Sequence, residues 1–205
     1  MLNNKSILLT GGTGSFGKKF IEQAIKKYKK IKRLVIFSRD ELKQYELKKL
    51  YPDTKYEFIR YFIGDIRDKE RLSRAMENID YVIHAAALKQ VDTAEYNPDE
   101  YIKTNILGSM NIVDASLENK IKKVIALSTD KACSPINLYG ATKLCSEKIF
   151  LAANNIRGNK NISFSVVRYG NVAGSRGSII PKILETKKKN IKNFNLTHKD
   201  ATRFW

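Results

Sequence analysis

Tyr139 and Lys143 lie one helical turn apart, which is the spacing of a possible acid–base pair. A tyrosine has an ordinary pKa of about 10, and a neighbouring ammonium lowers it by favouring the phenolate. Such a pair can take a hydroxyl proton while a hydride leaves for a nicotinamide cofactor. Because Tyr-x-x-x-Lys is also common on exposed helices, its place in the fold must decide its meaning.

More reactive groups follow the predicted strand 124–128. Ser128, Thr129, Asp130 and Lys131 supply hydroxyls, a carboxylate and an amine at the end of that strand, and Tyr139 comes soon after. Ligands of open α/β sheets bind beyond the carboxyl ends of the strands. We therefore expect these groups and the Tyr–Lys pair to converge on one catalytic site.

A glycine-rich loop, from Thr10 to Gly17, joins the first predicted strand to the first helix. Glycines in this context permit a tight turn and close approach of the backbone to a pyrophosphate, while the helix N-terminus attracts the anion. The spacing Gly-x-x-Gly-x-x-Gly suggests the short-chain dehydrogenase/reductase superfamily. The expected cofactor contacts in this loop are Gly11, Thr13, Gly14, Ser15, Phe16 and Gly17.

The residues after the second strand indicate which dinucleotide binds. Enzymes that use NAD usually have an acidic residue here, which bonds the ribose 2′-hydroxyl. This chain has Ser38 and Arg39, with Lys43 one turn further on, and these suit a 2′-phosphate. Asp40 keeps NAD open as the alternative, but the sequence favours NADP.

The elements needed to position these groups alternate along the chain. Short apolar runs at 6–10, 34–37, 57–63, 81–84, 124–128 and 164–167 are typical of buried strands. Helical periodicity at 16–30, 41–50, 69–77, 99–118, 138–154 and 178–184 separates or follows them. The sequence therefore predicts an α/β fold with a doubly wound parallel sheet, a Rossmann fold. Residues 1–175 would form the NADP-binding domain, and 176–205 the incomplete start of a substrate-binding region in a truncated chain.

The composition restricts the remaining possibilities. Among 205 residues, 38 Lys and Arg against 21 Asp and Glu give a net charge of +17, which fits either an anionic partner or solvated helix faces. No apolar run approaches the ~20 residues that cross a bilayer. Cys133 and Cys145 have neither disulfide-scaffold nor metal-site spacing, so we expect no metal and a cytoplasmic protein.

The chain resembles the inverting UDP-N-acetylglucosamine 4,6-dehydratases, extended short-chain dehydrogenase/reductases that begin pseudaminic acid synthesis for flagellin glycosylation. Seven segments spread along the chain carry the resemblance: 10–17, 38–43, 64–68, 84–89, 128–132, 137–143 and 168–172. Retaining dehydratases have Asp-Glu where this chain has Asp130-Lys131. Large membrane-bound relatives have Met in place of Tyr139.

The resemblance implies a role for each catalytic residue. Tyr139 and Lys143 would oxidise sugar C4, with Thr129 positioning the C4 hydroxyl. Lys131 would take the C5 proton, and Asp130 would help water leave from C6. A tightly bound NADP would take up a hydride at C4 and return it to C6, so that it is regenerated in each cycle.

Further contacts are also implied by the resemblance. Additional cofactor contacts would come from Asp65, Ile66, Ala85, Ala86, Ala87 and Lys89. Substrate contacts would come from Lys89, Thr129, Tyr139, Asn171 and Arg203. Asn105 would either hold a strand end near the catalytic loop or be a satisfied core residue, and His84 would close a strand. The expected partners are UDP-N-acetylglucosamine and further copies of the chain, with neither nucleic acid nor membrane.

Two other functions stay open. An NADP-dependent sugar-nucleotide epimerase would use the same scaffold, but it has no obvious use for an acid–base pair such as Asp130 and Lys131. A non-catalytic binder of polyanions would use the lysine-rich surface, with binding that depends steeply on salt. The sequence lacks the aromatic stacking pattern that single-strand readers use.

Overall fold

A computed structural model describes residues 1–175 and 178–189. Six strands form one parallel sheet in the order β3-β2-β1-β4-β5-β6. This confirms the predicted doubly wound sheet. The strands are β1 (Ser6–Thr10), β2 (Arg33–Ser38), β3 (Ile59–Ile63), β4 (Tyr81–His84), β5 (Lys123–Leu127) and β6 (Ser163–Val167).

Helices connect the strands and follow the last one. Between strands lie α1 (Ser15–Lys27), α2 (Glu41–Leu50), α3 (Lys69–Ala75), α4 (Val91–Tyr96), α5 (Pro98–Tyr101), a π-helix (Ile102–Leu107), α6 (Gly108–Glu118), a 3-10 turn (Asp130–Ala132) and α7 (Leu138–Ile156). The helix α8 (Ile179–Lys188) follows β6, where the sequence predicts a helix.

The core consists of one apolar layer on each side of the sheet. Successive side chains of a strand point to opposite faces, so Leu8 joins one layer while Ile7 and Leu9 join the other. Every residue of β1 is buried. The central strand is therefore covered on both faces, as the continuous apolar run of the sequence indicates.

The direction of winding changes between β1 and β4. From β1 the chain proceeds outward through β2 to β3, then returns to β4 on the other side of β1. The carboxyl edge between β1 and β4 is therefore the switch point of the sheet, where ligands of such folds bind.

The segment predicted as one helix over 99–118 is more complex. A separate helix, α4, precedes it, and α5, the π-helix and α6 divide the predicted span. A π-helix places an extra residue in its turn, and this one contains Asn105. The spacing of apolar residues does not reveal this division, because α5, the π-helix and α6 follow one another directly as helical turns.

The chain divides into two compact units, Met1–Arg168 and Tyr169–Trp205. The first contains the whole sheet. Within the second, the structure describes residues up to 175 and the segment 178–189, with α8 in the latter. Among the described helices, none combines the length and apolarity that a membrane crossing requires.

Candidate active site

Steric constraints define the loop between β1 and α1. Gly11 has a φ of +65°, and a Cβ there would lie 2.8 Å from the backbone of Ala85. A Cβ on Gly17 would lie 2.3 Å from the carbonyl oxygen of Gly12. At Gly14 a Cβ would meet only the Gly11 oxygen, at 3.3 Å. The outer glycines are needed for packing, whereas Gly14 leaves the loop surface open for an approaching ligand.

The start of α1 suits an anion. Gly14 is its N-cap and makes no side-chain capping bond, and the first turn contains no acidic residue. Amide groups at a helix N-terminus and the helix dipole together favour a phosphate at such a position. Phe16 projects with 39% of its surface exposed and stacks on Phe20 at a centroid distance of 6.1 Å.

A hydroxyl pair joins the loop to the end of β2. Thr13 Oγ1 and Ser38 Oγ are 2.9 Å apart, and both residues are buried. Asp40 caps α2 by accepting a bond from the Lys43 amide at 2.9 Å, and it also forms an ion pair with the Lys43 ammonium. The carboxylate of Asp40 is therefore committed to the start of α2.

Arg39 remains more accessible. Its side chain is 53% exposed, and its guanidinium lies 3.6 Å from a carboxylate oxygen of Asp65. Asp65 also accepts bonds from Arg67 at 2.8–3.0 Å. Burial alone would raise the pKa of Asp65, but the bonds from Arg67 and the nearby Arg39 charge outweigh it and the pKa is lowered. An ionised Asp65 therefore interacts with both Arg67 and Arg39.

The structure buries Ile66, one of the predicted cofactor contacts. Ile66 is 4% exposed and packs in the core, where its side chain is in close contact with Gly108. A contact between Ile66 and a cofactor stays a prediction. Lys89 and Arg39 instead line a cavity of about 420 Å³ whose other walls come from the loop after β4 and from α4 and α5.

The loop after β4 is held by Thr10. Its hydroxyl oxygen accepts bonds from the amides of Ala85 and Ala86, each at 3.2 Å, and lies 2.9 Å from His84 Nδ1. Because the oxygen already accepts twice, its own proton is donated to the imidazole. Burial, and to a lesser degree the charge of Lys143, lowers the pKa of His84 to about 3. His84 is thus a neutral core residue that closes β4, as expected.

A short polar network follows β5. Thr129 Oγ1 donates to Asp130 Oδ1 at 2.9 Å, and Lys131 Nζ donates to the same oxygen at 3.2 Å. Burial alone would raise the pKa of Asp130, but these two bonds reverse the effect and lower it. Asp130 and Lys131 therefore form a carboxylate–ammonium pair whose side chains are 41% and 31% exposed.

The packing of α7 brings this network towards Tyr139. Asn137 caps the helix by accepting a bond from the Gly140 amide at 2.8 Å. A Cβ on Gly140 would lie 2.2 Å from the carbonyl oxygen of Lys131, so only glycine lets the 3-10 turn pack this closely. Gly140 is a positioning residue that the sequence reasoning missed, although it directly follows Tyr139.

Lys143 lies beneath this surface. It is 4% exposed, and its Nζ donates to the carbonyl oxygen of Leu127 at 2.7 Å. Burial lowers the pKa of Lys143 to about 8, although the nearby Glu147 acts in the opposite direction. Tyr139 is half-buried one turn earlier on the same helix. The ammonium is therefore fixed at the end of β5.

Asn105 connects the two halves of the site. From the π-helix, its Oδ1 accepts from the Leu88 amide at 2.9 Å, and its Nδ2 donates to the Leu88 carbonyl at 3.0 Å and to Thr142 Oγ1 at 3.1 Å. Asn105 is therefore a satisfied buried residue, and it joins the loop after β4 to α7.

Two predicted substrate residues do not belong to the first unit. Asn171 is half-buried in the second unit, and Arg203 lies outside the described residues. Their contacts stay predictions. Glu147 and Arg168, which form a bidentate pair at 2.8 and 2.6 Å, were not predicted as functional.

A six-stranded parallel sheet with a glycine-rich loop at its switch point defines a Rossmann-like α/β fold of the short-chain dehydrogenase/reductase type. A family model described as polysaccharide biosynthesis protein matches residues 7–205. The chain belongs to this family.

Two relatives and one solved structure are similar to this chain over most or all of its length. The chain is 58% identical, over its full length, to a UDP-N-acetylglucosamine 4,6-dehydratase (inverting) from Campylobacter jejuni, of which it covers 60%. It is 45% identical, again over its full length, to a UDP-glucose 4-epimerase from Rickettsia bellii and covers 59% of it. The X-ray structure of Pen from Bacillus thuringiensis matches with 44% identity and a TM-score of 0.88, covering 92% of this chain and 59% of that one. The chain thus spans about 60% of the length of these relatives.

Proposed function

We propose that this chain is the cofactor-binding and catalytic part of an NADP-dependent UDP-N-acetylglucosamine 4,6-dehydratase that inverts C5. The observation that carries the proposal is the hydrogen-bonded pair of Asp130 and Lys131 beside the helix of Tyr139 and Lys143. Elimination of water needs both a base and an acid, in addition to the pair that oxidises an alcohol. The similarity to the Campylobacter dehydratase supports the same reaction.

The residues present fit a dinucleotide. Gly11 and Gly17 have no room for a side chain, while Gly14 leaves the loop surface open at the start of α1. Arg39 adds an accessible guanidinium beyond β2, where a 2′-phosphate would lie. A bound nicotinamide would supply the hydride acceptor for C4 and the hydride donor for C6, and C5 would then gain a proton from solvent on the face opposite to the one that lost it.

In the first step Tyr139 acts on the C4 hydroxyl. The phenolate takes the hydroxyl proton as the C4–H bond breaks, which leaves a ketone at C4. The Lys143 ammonium, anchored to the Leu127 carbonyl, stabilises that phenolate electrostatically. Thr129, which donates to Asp130, stands at the same strand end and would orient the hydroxyl.

In the second step water is eliminated across C5 and C6. The C4 ketone acidifies the C5 proton, which Lys131 removes as a neutral amine, while a protonated Asp130 gives its proton to the departing C6 hydroxyl. The resting pair is a carboxylate and an ammonium. One proton transfer from Lys131 to Asp130, over the bond of 3.2 Å, would generate both reactive forms.

The remaining assignments complete the proposal. NADP is preferred to NAD because Asp40 is bound to the start of α2 and Arg39 is exposed. Residues 176–205 begin the substrate-binding region, to which Asn171 and Arg203 would contribute contacts with UDP-N-acetylglucosamine. The enzyme would act in the cytoplasm as a homo-oligomer, without nucleic acid or membrane, at the first step towards pseudaminic acid.

Epimerisation is the second candidate, because the Rickettsia relative is named a UDP-glucose 4-epimerase. An epimerase would return the hydride to C4 and keep every hydroxyl. The Asp130–Lys131 pair would then have no acid–base step to perform.

The decisive experiment follows UDP-N-acetylglucosamine by NMR in D₂O with this protein and NADP⁺. A 4-keto-6-deoxy product with deuterium at an inverted C5 is expected. A C4-inverted sugar with all its hydroxyls would identify an epimerase instead. If no reaction occurs while NADP⁺ still raises the melting temperature, the chain binds the cofactor but does not catalyse the reaction.

Lys131→Ala tests the assignment of the base. Loss of the C5 base should reduce deuterium incorporation at C5 at least about 100-fold, with NADP⁺ affinity unchanged because the side chain acts on the sugar. Lys148→Ala, an exposed lysine on α7, is the matched control. Undiminished C5 exchange in Lys131→Ala would remove this residue from the mechanism.

A further inference from the structure

An ion pair whose carboxylate is buried lies one helical turn beyond Lys143. Glu147 is 4% exposed, and its two carboxylate oxygens accept bonds from Arg168 Nε and Nη2 at 2.8 and 2.6 Å. Arg168 directly follows β6 and keeps 46% of its side chain exposed. Glu147 is thus a buried carboxylate held in a fixed orientation from the edge strand.

The same pair is connected to the anchoring point of Lys143. Leu127, whose carbonyl accepts from Lys143, is paired with Val167 in the sheet, and the Ser128 amide donates to the Val167 carbonyl at 2.8 Å. Arg168 is the next residue after Val167. Lys143 and Glu147 therefore attach α7 to adjacent strands at one level of the sheet, through β5 and β6 respectively.

The charges around Lys143 show what Glu147 does there. His84, from β4, is neutral, and the Leu127 carbonyl carries no net charge. Asp130 and Lys131, on the 3-10 turn packed against α7, form an ion pair with each other.

Of the described residues, Glu147 supplies the negative charge that acts on Lys143 and raises its pKa against the effect of burial. Burial alone would raise the pKa of Glu147, but Arg168, Ser128 and Lys143 together lower it. Glu147 and Lys143 are therefore both charged at neutral pH.

We propose that Glu147, held by Arg168, is a positioning residue for Lys143: its carboxylate keeps the buried ammonium charged and fixes α7 at the strand end where that ammonium acts. The inference rests on the proposed function for its catalytic meaning, because it supposes that Lys143 supports Tyr139. The electrostatic link itself requires neither substrate nor cofactor.

A direct titration of Lys143 tests the link in the full chain. Lysine labelled with ¹³C at Cε gives one signal per residue, and Lys143→Arg identifies the signal of Lys143. In Glu147→Gln the titration midpoint of that signal should fall by about one pH unit, because a nearby opposite charge is lost. Glu147→Asp keeps the charge and should largely restore the midpoint. An unchanged midpoint in Glu147→Gln would overturn the proposal.

A second variant distinguishes the electrostatic link from a loss of stability. Arg168→Gln removes a positive charge from the cluster, so the Lys143 midpoint should move in the opposite direction, to higher pH. A merely structural role would lower the melting temperature in both variants without midpoint shifts of opposite sign. Glu22→Gln is the charge-matched control, since Glu22 forms an exposed pair with Lys19 at 2.9 Å, and it should leave the midpoint unchanged.

Activity separates this inference from the proposed function. If the chain forms the dehydrated product, the alkaline limb of the kcat profile should move to lower pH in Glu147→Gln, in step with the titration. A shifted midpoint without any product would support the link and count against the dehydratase. Product formation with an unchanged Lys143 midpoint would support the dehydratase and overturn the link between Glu147 and Lys143.

Discussion

The loop after β1 and the polar cluster after β5 lie at the same edge of one sheet but depend on different physics. The loop is defined by the absence of side-chain volume, since Gly11 and Gly17 each have backbone within 2.8 Å or less of a Cβ position. The cluster is defined by charge, with Lys143 buried and Asp130 paired to Lys131. Steric fit therefore fixes the conformation of the loop, whereas charge and burial set the protonation states of the cluster.

The largest expected effect tests the steric half of this comparison. Gly17→Ala places a Cβ 2.3 Å from the Gly12 carbonyl oxygen, so backbone must move, and the free energy of unfolding should fall by about 3 kcal/mol. Thermal and urea unfolding measure the loss. Gly14→Ala is the control, because its Cβ meets a single atom at 3.3 Å; it should fold normally. Equal destabilisation by both variants would contradict the steric distinction.

The next effect tests the electrostatic half through pH. Folding lowers the pKa of Lys143 from its ordinary 10.5 to about 8, so the unfolded chain binds the proton more tightly between these values. The free energy of unfolding should therefore rise with pH through this window, by about 3 kcal/mol.

The control for this prediction is Lys143→Met, which should abolish the rise. Above pH 10 the raised pKa of Tyr61, about 12 because of its burial, acts in the opposite direction, since the unfolded tyrosine then loses its proton first. Urea unfolding at a series of pH values separates the contribution of Lys143 from that of Tyr61. A rise of the same size in Lys143→Met would assign it to other groups.

A smaller effect concerns the cofactor. Arg39→Ala removes the exposed guanidinium beyond β2, and the affinity for NADP should fall about tenfold while that for NAD hardly changes. Lys26→Ala, an exposed lysine on α1, controls for net charge. Equal losses for NADP and NAD, measured by calorimetry, would show that Arg39 does not recognise the 2′-phosphate.

The smallest expected change separates stability from chemistry. Asp130 is 41% exposed and pairs with the ammonium of Lys131, which is 31% exposed, so Asp130→Asn should alter the free energy of unfolding by no more than about 0.5 kcal/mol. Formation of the dehydrated product should nevertheless fall sharply, because an amide supplies no proton to the departing hydroxyl. A large loss of stability would place Asp130 among the structural residues.

Much of the fold was predictable because its signals are local. The buried apolar runs identify the strands, and the glycine spacing after β1 identifies the loop. The prediction of one helix over 99–118 was incomplete. Neither the π-helix at Ile102–Leu107 nor the separate helix α4 can be recognised from the spacing of apolar residues. For the candidate site, ligands of open α/β sheets lie at the carboxyl ends of strands. This rule, applied to the sequence, predicts that Tyr139, Lys143 and the residues after β5 lie near one another.

By itself, the sequence determined the order of strands and helices, the loop and the reactive residue types, because each depends on neighbours close in the chain. Only the tertiary structure decided that Glu147, which has the spacing of an ordinary surface pair with Lys143, is buried and bound to Arg168. It likewise committed Asp40 to the start of α2 and buried the Ile66 side chain in the core. Burial and long-range charge depend on how distant segments pack, and residue spacing does not contain that information.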